Sequence, residues 1–225
     1  DMIRADGGVT EKAEPRPFRW TDVGYLVRQR SIIGASIGQF ATNSTLVFFL
    51  TWFPTYLATE RHMSFIKVGF YAVLPFIAAS VGVMVGGIAS DMILKRSGNA
   101  NLARKGPIVF GLLLASTIVS ANFVDSNALV VAIMSLAFFG QGMCNLGWTL
   151  ISDVAPKALI GLTGGVFNFC ANLAGIITPL VIGFIVAGTG SFFYALAYIG
   201  VVALLGVASY VFILGDVKRV ELAPA

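Results

Sequence analysis

The sequence predicts an all-α integral membrane protein, folded as a six-transmembrane-helix bundle. Apolar residues make up 57% of the chain and charged residues 12%, against about 45–50% and about 25% in soluble domains. Six apolar runs, at 31–57, 67–90, 106–123, 127–152, 159–186 and 192–214, are long enough at about 1.5 Å per residue to cross a hydrocarbon core of about 30 Å. Barrel strands would alternate and be only about 10 residues long. Basic residues cluster at alternate ends of these runs, the signature of a multi-pass chain rather than of a nucleic-acid partner.

Residues 1–30 are polar, with Pro15, Pro17, Arg16, Arg19, Arg28 and Arg30. Trp20 and Tyr25 among the arginines suggest a segment on a membrane surface, with a short amphipathic helix at 20–29. The chain opens on Asp1 in loop-like sequence, as expected of the later part of a longer protein. The bundle then occupies 31–215, and 216–225 form a tail.

Arg28 and Arg30 precede the first span; Lys95, Arg96, Arg104 and Lys105 lie between the second and third; Lys157 follows the fourth; Lys218 and Arg219 follow the sixth. The other side offers Arg61 and Lys67. By the positive-inside rule both termini, and hence linker and tail, are cytoplasmic. Gly34 and Gly38, Gly82 and Gly86, Gly161 and Gly165, and Ala171 and Gly175 are spaced for close helix approach. Pro54, Pro75 and Pro179 fall within or near the ends of spans, where proline kinks a helix.

Enzyme signatures are absent: no phosphate loop, no paired metal-binding histidines, no nucleophile elbow. The chain is read as not an enzyme, with no cofactor and no metal. The lone His62 sits beside Arg61 in a connection, and Cys144 and Cys170 read as buried thiols. Every acidic residue maps to a connection, a span end or a tail, and no Lys or Arg lies mid-span. A proton-coupling group of the kind that needs a partner-set pKa is therefore expected outside these 225 residues.

The spans instead hold neutral hydrogen-bonding residues. Ser36, Gln39 and Asn43 share a face of the first span. Gln141, Asn145, Trp148 and Thr149 lie in the fourth, and Asn168 and Asn172 one turn apart in the fifth. Two readings stay open: interhelical hydrogen bonds worth about 0.6–2 kcal/mol each, or the lining of a solute pathway. Amides both donate and accept, which suits a polyhydroxylated solute, and an indole can stack on its apolar face.

Gly87-x-x-x-Asp91 followed by Lys95 and Arg96 resembles the loop motif of the major facilitator superfamily, in the copy carried by its second six-helix half. The block Gly147-Trp148-Thr149-Leu150-Ile151-Ser152-Asp153-Val154-Ala155-Pro156-Lys157, continuing from Gly161 to Asn168, resembles the anion:cation symporters of that superfamily, especially bacterial carriers of galactonate, glucarate and related sugar acids. The ending from Gly215 to Leu222 is similar to the same group. The resemblance covers the chain from about Trp20 onward.

It implies the C-terminal half of a 12-helix fold in a bacterial cell inner membrane, preceded by part of the central linker. Its activity would be import of a sugar-acid anion with protons by alternating access, with the N-terminal six-helix half of the same carrier as partner. By position, Gln39, Asn145, Trp148 and Asn168 fall where those carriers contact sugar hydroxyls. Asn145 and Gly147 stand where some relatives have Ser and Thr. The carboxylate-binding arginine and the proton-carrying acids belong to the other half. On this reading the first span, the fourth and the middle of the fifth face the missing half. The third and sixth face lipid or pack behind. Rival readings are a carrier for another organic anion (a hexuronate, a phosphate ester or a monocarboxylate), a non-transporting membrane scaffold, or a membrane-embedded enzyme.

Overall fold

The computed structural model describes residues 18–221. Most of the expected linker (1–17) and the end of the tail (222–225) lie outside the described residues. Six helices are long and apolar enough to cross a membrane, and the chain is a multi-pass membrane protein.

A short helix α1 (Trp20–Leu26) leads into α2 (Arg30–Thr51). The chain bends at Trp52, and α3 (Phe53–Thr59) starts with Pro54 in its first turn, where a missing N–H costs nothing. Next come α4 (Phe65–Ser97) and α5 (Ala100–Ser116), the latter continued by a 3₁₀ stretch, Thr117–Phe123. The fourth span is α6 (Asn127–Met143), a 3₁₀ turn at Cys144–Leu146, then α7 (Gly147–Val154). The last two are α8 (Ile160–Thr189) and α9 (Phe193–Ala208), which ends in a π-helical turn, Ser209–Ile213.

The connection between the second and third spans is shorter than expected. Gly87, Asp91, Lys95 and Arg96 do not form a connection; α4 carries all four and runs unbroken to Ser97. Nothing in that stretch breaks a helix until Gly98, whose left-handed φ of 62° ends it.

α2 lies against α8 and α9, α4 against α6, and α5 against α6 and α9. Glycines set the closest approaches. A Cβ on Gly34 would meet the Leu214 backbone at 2.6 Å, and one on Gly38 the Tyr210 ring at 2.1 Å. Gly82 faces the Phe139 carbonyl and Gly142 the Ala79 carbonyl, while Gly111 and Gly140 face each other. Gly161, Gly165 and Gly175 have nothing within 4 Å, so the close approach expected there has no partner among the described residues.

One core cluster centres on aromatic rings, with Phe49 stacked on Phe138 at 4.1 Å. The other joins Leu26, Ile32, Leu112, Leu150 and Tyr210 at the basic end. Burial within the bundle is uneven. In the most apolar window of each helix, 67% of α2 residues are buried, against 17% for α4 and 22% for α8. The first span is thus the most enclosed, and the least buried windows belong to α4 and α8. Hydropathy could not mark α4, because it is apolar on every side.

Both ends are tied by polar contacts. At the basic end Arg104 donates to Asp153 at 2.8 Å and to the Ser90 hydroxyl at 3.0 Å, joining α5, α7 and α4. The segment after α9 crosses the same end. Val220 N donates to Val154 O at 2.8 Å, Tyr25 donates to Glu221 O at 2.8 Å, and Asn101 binds Asp216 and the Val217 amide. At the opposite end Glu60 accepts from Ser191 and from the Phe192 amide at the start of α9.

Candidate functional site

The 3₁₀ turn at Cys144–Leu146 re-aims the fourth span so that Asn145, Trp148 and Thr149 are exposed together. Trp148 is 44% exposed and its indole meets Phe167 of α8 edge-on, centroids 5.1 Å apart. Phe167 is fully buried, so a fixed ring holds one edge of a half-open one. Asn168 follows it in sequence on an open face of α8, and Asn172 donates to both the backbone oxygen (2.8 Å) and the side-chain oxygen (2.9 Å) of Asn168. These amides are exposed on a helix of otherwise apolar character, and the Asn168 NH₂ makes no hydrogen bond among the described residues. Unused amide capacity at hydrocarbon depth is tolerated only toward protein or a water-filled cavity.

The first-span residues lie differently. Asn43 donates to Ala171 O at 2.8 Å, tying α2 to α8 beside Asn172. Ser36 and Gln39 are enclosed, 6% and 5% exposed. Gln39 sits behind α7: a Cβ on Gly147 would lie 2.4 Å from its Oε1, which is buried without a hydrogen-bond partner. The structure therefore brings α2, α7 and α8 together but puts Gln39 one layer behind the exposed set. Gln141 is half-buried on α6.

Gly87, Asp91, Lys95 and Arg96 lie apart from this wall, on the end of α4. Gly87 has nothing within 4 Å, and Asp91, Lys95 and Arg96 are exposed and make no ion pair among the described residues. At this end Arg104 holds Asp153, and Lys218 pairs with Asp216 at 3.4 Å. The Arg104–Asp153 pair was open to sequence reasoning, since both residues end spans on the same side. Tyr210, the other residue missed, gave no signal: it is one aromatic in an apolar run.

The wall is not a closed pocket. A cleft of about 270 Å³ between α2 and α8 is lined by Ile33, Ile37, Phe40, Val166 and Cys170, with Ser36 its main polar group. None of the amides lines it. No group of three or more His, Cys, Asp or Glu side chains converges among the described residues.

Residues 4–179 match the family model described as Major Facilitator Superfamily. The chain belongs to the major facilitator superfamily. Among curated members it is 45% identical to the "Probable galactarate/D-glucarate transporter GudP" of Escherichia coli (strain K12), over 99% of this chain and 50% of that protein. It is 45% identical to the D-galactonate transporter of Escherichia coli O6:H1, over 98% of this chain and 52% of that one. The hexuronate transporter of Bacillus subtilis (strain 168) is 34% identical over 80% of this chain and 44% of its own length. The chain thus spans about half the length of the curated major facilitator relatives it matches. Among solved structures, a crystal structure of the peptide transporter POT in complex with sulfate superposes with a TM-score of 0.64 at 17% identity, covering 87% of this chain and 41% of that one. That likeness shows the fold alone.

Proposed function

We propose that this chain is the C-terminal six-helix half of a secondary active transporter that imports a sugar-acid anion with protons by alternating access. One observation carries the reading: Asn145, Thr149, Asn168 and Asn172 are exposed polar side chains on two adjoining spans that also carry the half-open ring of Trp148. Relatives named for galactarate, glucarate and galactonate, at 45% identity, supply the solute class. Such a solute carries several hydroxyls, and the wall offers both donors and acceptors to them. From α2, Asn43 borders it and Gln39 backs it from one layer behind.

The solute of such folds sits at the midplane between two halves. The sparse burial of α4 and α8 supports a second half docked there, with Gly87, Asp91, Lys95 and Arg96 on its rim. No Asp, Glu, His, Lys or Arg occupies mid-span depth among the described residues, so carboxylate binding and proton coupling fall to the other half. The distribution of Lys and Arg supports cytoplasmic termini, in a bacterial inner membrane.

The test is Asn168→Ala in the full-length carrier. Binding of D-galactonate and D-glucarate should weaken about tenfold, the scale of one lost polar contact, with the unfolding midpoint unchanged. If the variant instead unfolds early while each folded molecule binds normally, the amides are helix glue and the assignment fails. A hexuronate carrier is the second reading, favoured by the 34% relative; D-glucuronate in the same assay separates the two.

A further inference from the structure

We infer that Tyr210 is a positioning residue that sets the orientation of the Gln39 amide, and so decides which hydrogen-bonding end Gln39 presents to the solute. The inference rests on the placing of Gln39 at the back of the solute wall.

Tyr210 lies in the π-helical turn after α9, a helix that contributes nothing to the exposed wall, yet its side chain is fully buried. Two glycines clear its route. Its ring lies over Gly38, where a Cβ would be 2.1 Å from Cε2, and its hydroxyl reaches Gly147, where a Cβ would be 3.5 Å away. The same missing Cβ would lie 2.4 Å from Gln39 Oε1. A phenol and an amide carbonyl, from two different helices, thus converge on Gly147, where a side chain would displace the amide.

Neither has a hydrogen-bond partner, and both atoms are sealed from solvent. An orphaned buried polar atom is uncommon in native structures and calls for an explanation. Here one is a donor and the other an acceptor. The inferred bond joins the two, with the phenol as the donor. With the phenol donating to Oε1, the Gln39 NH₂ is the end left for the solute side, so the residue reads solute oxygens as a donor.

The local backbone serves this placement. Leu214 N bonds to Ser209 O, a five-residue step that makes the turn π-helical, and Ser209 Oγ donates to Gly34 O at 2.8 Å. Single π turns recur at functional sites because the extra residue shifts the register of the helix. Here the turn is pinned to α2 one helical turn from Gly38.

The experiment compares Tyr210→Phe, Gln39→Ala and the double variant in the full-length carrier, reading the D-galactonate dissociation constant and the unfolding midpoint. Tyr210→Phe keeps the ring and removes only the donor. It should weaken binding about three- to tenfold without lowering the midpoint, and this effect should vanish in the Gln39→Ala background. Wild-type binding by Tyr210→Phe, or a loss that adds fully to that of Gln39→Ala, overturns the inference. If Gln39→Ala itself binds normally, the wall assignment of Gln39 fails and takes the inference with it. A loss in Gln39→Ala with Tyr210→Phe silent overturns the inference alone.

Discussion

A methyl group at Gly82 probes the tightest seam of the bundle. Its Cβ would lie 2.1 Å from the Phe139 carbonyl oxygen and 3.0 Å from the carbonyl carbon. Both are helix backbone, so no side chain can swing aside. Ordinary C···O contact begins at about 3.3 Å, and α4 must retreat from α6 by roughly 1 Å. The same seam holds Gly86, 2.9 Å from Met143 Cα on this measure, and Gly142, 2.2 Å from Ala79 O, so a shift at one level opens the others. Overpacking costs about 1–3 kcal/mol, and the better helix propensity of alanine returns up to about 1 kcal/mol. We predict that Gly82→Ala lowers the thermal unfolding midpoint of the purified carrier in detergent. Gly69→Ala is the control: the residue is on the same helix, with nothing within 4 Å, and its midpoint should hold or rise. If the two variants unfold together, the close-approach reasoning is wrong.

Three further expectations concern the ends and the thiols. Asp153→Asn and Arg104→Gln should each lower the midpoint, and the double variant should lose less than the two losses combined, because the pair shares one ion contact at 2.8 Å; strict additivity would refute the link. With Asp153 at 38% side-chain exposure, the coupling should not exceed about 1 kcal/mol. Asn101→Ala removes the acceptor of the Val217 amide, so hydrogen exchange at Val217 should speed up while that of α5 stays slow. Cys144 is fully buried and donates to the Ile108 and Gly140 carbonyls; a maleimide should not label it in the folded carrier, and rapid labelling would contradict its burial.

The six spans were legible because hydrocarbon imposes a length and a composition that few other folds share. Their ends were less so. Asp91, Lys95 and Arg96 have the composition of a connection, but charge does not stop a helix, and only Gly98 has the backbone freedom to do so. Asn168, Asn172 and Trp148 could be singled out by residue type alone. The depth of Gln39 could not, since burial depends on what packs in front of it. The glycine pairs make the same point. Gly34 with Gly38 and Gly82 with Gly86 meet a neighbouring helix; Gly161 with Gly165 has the same spacing and meets none among the described residues. Spacing declares that a helix can be approached closely, and only the fold names the approaching element.

The hydrogen bond from Ser209 to Gly34 spans 175 residues, which gives the bundle an order of birth. At roughly 5–20 residues per second of synthesis, α2 exists for roughly 9–35 s before the segment that covers Gly34 and Gly38 is made. During that interval it carries five polar side chains that end up buried. Thr42, Ser44 and Thr45 hydrogen-bond to carbonyls four residues back in their own helix and need no outside help to stay in lipid. Ser36 and Gln39 make no such bond. Three of the five are therefore self-sufficient, and the two that are not lie near the place where the last span arrives.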